Sequence, residues 1–210
     1  PLQSQGACKA KPGVCELRVG ADVYLLTSCQ LQVVETPRFF EAMLQGRHYS
    51  DVATIVARVC GVCSISHTLA SLMATEAALG IETPPQAQLL RRLLSYGEIV
   101  QSHLLQLYFM ALPDYLGVAS LFHLIDKKQE LVARALRLKR TANRICEVVA
   151  GRPIHPVTTC IGGFSARPEA GELKKLRQEL VAGLPDLEAT VELFAGFDYP
   201  QFNRQQESLS

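Results

Sequence analysis

The sequence predicts a mainly α-helical fold with a small antiparallel β region at its N-terminus, an α+β chain. Three observations carry that expectation. Apolar and polar residues alternate from Val14 to Glu35, later segments repeat apolar residues at helical spacing, and Gly or Pro punctuates the ends of those segments.

The alternating stretch "VCELRVGADVYLLTSCQLQVVE" is interrupted around Gly20 and Asp22 and again around Thr27 and Ser28, which reads as two or three antiparallel strands. Residues 1–36 are therefore expected to form a β hairpin or meander, and residues 37–210 a helical domain. Pro37 and Gly46 bracket "RFFEAML", a short helix with Phe39, Phe40 and Met43 on one face. "SDVATIVARVCGVC" opens on a Ser50 and Asp51 cap signal and then runs apolar, which fits a helix and a strand equally. "SISHTLASLMATEAALG" sets Leu69, Leu72, Met73 and Ala77 on one helical face and stops at Gly80. Longer helices are expected from Gln86 to Leu112, stopped by Pro113, and from Asp126 to Ala150, stopped by Gly151 and Pro153. A further one runs from Pro168 to Ala182, with a shorter continuation past "GLPD" to Gly196. Before it, "GRPIHPVTTCIGGFSARP" is an irregular loop of a length that usually serves function or an interface.

With 210 residues and 48% hydrophobic content, the chain has enough apolar material for a real core. Its 21 basic and 20 acidic residues balance to +1, which leaves no electrostatic footprint for nucleic acid or an anionic membrane surface. No apolar run reaches the ~18 residues of a membrane helix, so no membrane span is expected. The stretch "PLQSQGACKAKPGVC" lacks the apolar core of a signal peptide. Seven cysteines, an odd number in a chain too long for a small disulfide scaffold, favour a reducing compartment, and a cytoplasmic location is expected. Cys146 and Cys160 have apolar neighbours and are expected to be buried, inert thiols.

The stretch "ARVCGVCSISHTL" concentrates the chemistry. Cys60 and Cys63 are three residues apart and His67 follows four later, an arrangement that admits three readings. They can be core thiols beside a buried imidazole. They can be a redox dithiol, since a C-x-x-C at a helix N-terminus has its thiolate favoured by unpaired backbone N–H groups and the helix dipole. Or they can hold a metal, with Gly61 letting the backbone turn so that both sulfurs face one ion.

Read outward, "RVCGVCSISH" fits R-x-C-G-x-C-x-x-x-H, which resembles the N-terminal metal motif of nickel-iron hydrogenase large subunits. The flanking "ETPRFFEAMLQGRHYSDVATIVARVCGVCSISHTLAS", "LLRRLLSYGEIVQSHLLQLYFMALPDYLG" and "GRPIHPVTTCIGGF" are similar to the cytoplasmic, bidirectional or cofactor-reducing branch of that family, from about Glu16 onward. The resemblance implies long helices forming a bundle and a reaction that interconverts dihydrogen with protons and electrons. Cys60 would be a terminal thiolate on nickel, and Cys63 would bridge nickel to an iron that also carries carbon monoxide and cyanide. His67 would hydrogen-bond the bridging sulfur, Arg58 would sit beside the pair, and His155 would act from the irregular loop, with a proton-relay role as one reading. Glu41 matches the glutamate that supplies an oxygen to a structural magnesium. Implied partners are an iron–sulfur small subunit, NAD(P)-reducing or other electron-transfer subunits, and a maturation chaperone.

Two features depart from the family pattern. No cysteine follows Cys160, so the second pair, in a D-P-C-x-x-C motif, is missing, and "CKAKPGV" puts Ala10 near the position of the proton-transferring glutamate. The expectation is therefore a partial large subunit that is inactive by itself. The alternatives are a non-catalytic scaffold of the same family type, like the quinone-site subunit of respiratory complex I, and, more distantly, a C-x-x-C thiol oxidoreductase.

Overall fold

In the computed structural model, which describes residues 15–22, 25–33, 39–199 and 201, the alternating stretch forms a single hairpin. Strand β1 (Cys15–Asp22) pairs antiparallel with β2 (Leu25–Val33). Gly20 lies opposite Ser28 and Ala21 opposite Leu26, so the register shifts at Thr27. This corrects the expected turns at Gly20/Asp22 and Thr27/Ser28. Both lie inside strands, because a bulge absorbs one extra residue without ending the ladder. Helix α1 (Phe40–Leu44) follows, and none of its residues is buried. Phe39 and Met43 are exposed, against the expected apolar face. Five residues make under two turns, too few to present a continuous stripe. The chain divides into two compact units, Pro1–Met43 and Leu44–Ser210.

In the second unit, the stretch before Cys60 is helical: α2 runs from Tyr49 to Val56. Its cap is His48, whose Nδ1 accepts the Ser50 N–H, and not Ser50 or Asp51 as expected. Helix α3 (Ser64–Leu79) ends where Gly80 turns left-handed at φ 65°. Its inward face is Ile65, Leu69 and Leu72, while Met73, expected on that face, is 60% exposed.

Helix α4 (Pro85–Leu104) does not stop at Pro113. It widens into a π-helical stretch over Leu105–Ala111 and resumes as α5 (Leu112–Tyr115). Pro113 then sits in the first turn of α5, where its missing N–H costs nothing. A 3-10 turn at Leu121–Leu124 precedes α6 (Gln129–Ala150), which starts three residues after the expected Asp126. The loop after Gly151 holds a minimal ladder, β3 (Thr159–Cys160) antiparallel to β4 (Gly163–Phe164). Helices α7 (Ala170–Ala182) and α8 (Leu184–Ala195) complete the described elements.

Two apolar clusters organise this unit. One joins Ile65, Leu69 and Leu72 of α3 to Leu94 of α4 and Cys146 and Val149 of α6. The other packs Leu104, Tyr108 and Leu112 against Leu121, Val132, Ala135 and Phe194. Each fully buried Leu contributes about 1.5–3 kcal/mol relative to an exposed one. Tyr108, wholly buried, meets Thr190 Oγ1 through its hydroxyl at 2.6 Å and stands edge-on to Phe194. Tyr108→Phe is expected to cost about 1 kcal/mol in chemical denaturation, the net value of one buried hydrogen bond. Among the described residues, no helix is long and apolar enough to cross a membrane.

Candidate metal centre

Cys60 follows the turns that close α2, and Cys63 occupies the N-cap position of α3. Their Cα atoms are 5.4 Å apart and their sulfurs converge to the point of being joined as a disulfide. The Cys63 N–H donates to Cys60 Sγ at 3.1 Å. Gly61 has open space where a Cβ would stand and no left-handed φ, so the turn is made without the freedom expected of it. His67, half-buried, lies one helical turn beyond Cys63, its N–H bonded to the Cys63 carbonyl at 3.2 Å. Arg58 is exposed on the turn after α2.

The irregular loop brings His155 to the same place. Its N–H donates to Ser64 Oγ, the residue after Cys63, at 3.0 Å. His155 has φ 56°, a left-handed conformation costing on the order of 1–3 kcal/mol in a non-glycine residue, so the surrounding contacts must hold it. Its Nδ1 is buried and has no hydrogen-bond partner among the described residues. Gln101 on α4 anchors the loop nearby, its Nε2 donating to the Pro153 carbonyl at 3.1 Å and to Cys146 Sγ at 3.2 Å. Cys60, Cys63, His67 and His155 are thus gathered at the N-terminal end of α3.

The far end of the loop is clasped by a buried ion pair. Arg91 of α4 meets Glu76 of α3 with two hydrogen bonds, Nη1 to Oε2 at 2.8 Å and Nη2 to Oε1 at 2.6 Å. Glu76 also accepts the Gly162 N–H at 2.7 Å and the Thr83 hydroxyl at 3.0 Å, and Arg91 donates to the Cys160 carbonyl at 3.0 Å. The Arg91 hydrogen bond outweighs burial and holds the Glu76 carboxyl below the usual range. Glu98 of α4, buried, accepts the Ile65 N–H at 2.6 Å, the Ser66 N–H at 2.9 Å and the Ser66 hydroxyl. Burial pushes the Cys146 thiol up to about 12, which keeps it protonated as expected of a core cysteine. Cys160 is a free thiol and only half-buried, against the expected burial, because it sits in the small β3–β4 ladder.

Glu41 is exposed on α1 in the first unit, and Ala10 lies outside the described residues. Among the described residues no three or more His, Cys, Asp or Glu side chains are placed so that they could hold one metal ion together, so the donor set at α3 consists of two sulfurs. Sequence reading missed Glu76, Arg91, Glu98, Ser64 and Gln101. A signal existed for three of them. Glu76 follows Leu72 by four, Glu98 follows Leu94 by four, and Arg91 precedes Leu94 by three, so each charge interrupts an inward-facing stripe.

The chain's relatives fit this geometry. It is 42% identical over 149 residues to sulfhydrogenase 2 subunit alpha of Pyrococcus furiosus, covering 71% of this chain and 36% of that protein. It is 36% identical over 187 residues to sulfhydrogenase 1 subunit alpha of the same organism, covering 89% and 43%. Its fold resembles the crystal structure of an NAD+-reducing NiFe hydrogenase in the H2-reduced state, with a TM-score of 0.80 at 30% identity over 86% of this chain and 42% of that one. The chain therefore spans about two-fifths of the length of these proteins. The nickel-dependent hydrogenase family model matches residues 38–134, the stretch that contains α2, both cysteines, α3 and α4, and over that stretch the chain is similar to the family.

Proposed function

We propose that this chain forms the N-terminal cysteine-bearing part of the large, catalytic subunit of a nickel-iron hydrogenase, which interconverts dihydrogen with protons and electrons. The observation that carries the reading is the convergence of the Cys60 and Cys63 sulfurs at the start of α3, within the family-matching stretch.

The residues fit a soft, thiolate-bound metal centre. Two sulfurs meet at one point, a backbone N–H already points at Cys60 Sγ, and the His155 N–H is bonded to Ser64, the residue after Cys63. Metal binding would take both cysteines as thiolates. Cys60 and Cys63 would then hold a nickel-iron centre through their thiolates. When bound, the centre supplies the redox chemistry that splits dihydrogen. His67, one turn beyond Cys63, orients the Cys63 sulfur. Arg58 supplies positive charge at the exposed side of the motif. His155 holds a proton at Nδ1 from the clasped loop. Glu41 would give one hard oxygen to a magnesium ion.

The electrons would leave through an iron–sulfur small subunit toward NAD(P)-reducing or other electron-transfer subunits, with a maturation chaperone loading the metals. The cytoplasm is the proposed compartment. Two thiolates are half of the four this centre needs, and the chain by itself is therefore inactive in this reading.

The disulfide favours one second reading, a C-x-x-C thiol oxidoreductase. The helix that precedes the pair, where such a motif ordinarily follows a strand, weighs against it. Anaerobic titration with cobalt(II) after phosphine reduction separates the two. Thiolate-to-cobalt charge-transfer absorption is expected, and Cys60→Ser and Cys63→Ser should each lose most of it. Absorption in both variants as strong as in the unaltered chain overturns the metal reading; catalysed exchange with a small disulfide, without any cobalt band, selects the other.

A further inference from the structure

Helix α3 starts at Cys63 with no side-chain cap of its own. A helix N-terminus leaves N–H groups unpaired, and the N-cap side chain ordinarily takes those of the second and third residues. Here those residues are Ile65 and Ser66, and both N–H groups go to the carboxylate of Glu98, more than thirty residues away on α4. The Ser66 hydroxyl donates to the same carboxylate, and Glu98 is 4% exposed.

A cysteine is a poor substitute for Ser or Asp at an N-cap, but a thiolate there is an acceptor beside two free donors and the positive end of the helix dipole. Left uncapped, the start of α3 would draw the Cys63 sulfur inward to satisfy its own N–H groups. A metal needs that sulfur turned outward. Glu98 removes the competition by taking both donors.

We propose that Glu98 is a positioning residue that caps α3 from a neighbouring helix and thereby keeps the Cys63 sulfur available as a ligand. This rests on the metal reading of Cys60 and Cys63.

The test uses the 210-residue chain, reduced and titrated with cobalt(II), with Cys63→Ser as the reference for a lost ligand. Glu98→Ala is expected to weaken cobalt binding by about 10–100-fold, the usual range for a residue that supports a ligand. Its charge-transfer absorption per bound cobalt should fall toward that of Cys63→Ser, a change that general loosening of the fold does not produce. Glu98→Gln keeps the volume and one acceptor oxygen; it covers the case in which the alanine variant does not fold, and should recover part of the absorption. Wild-type absorption and affinity in a folded Glu98 variant overturn the proposal while the metal reading stands. Absence of a cobalt band in the unaltered reduced chain overturns both.

Discussion

Glu76→Ala is expected to destabilise the fold by about 3–5 kcal/mol in chemical denaturation, because it leaves the Arg91 guanidinium buried and unpaired. The pair is nearly inaccessible, with side chains 8% and 6% exposed, and Glu76 has three partners, Arg91, Thr83 and the Gly162 N–H, while Arg91 also donates to the Cys160 carbonyl. Removing it therefore also releases the loop that carries His155. The effect depends on pH in a definite direction. The folded Glu76 carboxyl is held below its ordinary value near 4.5, mainly by the Arg91 hydrogen bond. Its contribution is fully present above that unfolded value and is lost as the pH falls through the lower folded value. The stability gap between the natural chain and Glu76→Gln should thus be wide at neutral pH and narrow on acidification. A gap that does not change between neutral pH and pH 3 would show that the charge of Glu76 is not what holds the clasp.

Gly97→Val is expected to cost about 3 kcal/mol, at the upper end of ordinary overpacking. At Gly97 a Cβ would come within 2.8 Å of both Cys146 Sγ and Ile145 Cγ2, so α4 and α6 approach too closely for any side chain. The neighbours are core atoms that cannot swing aside, since Cys146 is wholly buried and Ile145 nearly so. The gain in helix propensity on leaving glycine, under about 1 kcal/mol, does not offset the clash. Ile145→Ala in the same chain should relieve part of it, so the double variant should be more stable than the summed single effects predict. Strict additivity in that cycle would contradict the close approach.

The helices were legible because their signals are local. Gly80 and Gly151 end α3 and α6 where the sequence places them, both with left-handed φ, and the apolar spacing within α3 and α6 needs no distant partner to be read. Errors arose where a local rule met a non-local demand. Met73 fits a helical stripe of α3 but faces out, since the buried stripe runs through Ile65, Leu69 and Leu72 to Glu76, which pairs with Arg91 of the next helix. Pro113 reads as a stop, yet the widened turn before it lets the chain continue as α5. Gly61 reads as the residue that permits the cysteine turn, yet the turn makes no demand on it.

By itself the sequence determined which residues are the candidates for the chemistry: Cys60, Cys63 and His67 lie within eight positions, and their spacing with Arg58 and Gly61 is a pattern of neighbours along the chain. Only the tertiary structure decided how that motif is supported. Ser64 meets His155 across 91 positions, Glu76 meets Gly162 across 86, and Glu98 caps the start of α3 across 33. Such contacts leave no periodic trace, because a buried carboxylate is specified by the donors that converge on it in space, and those come from a loop and a helix far away in the chain.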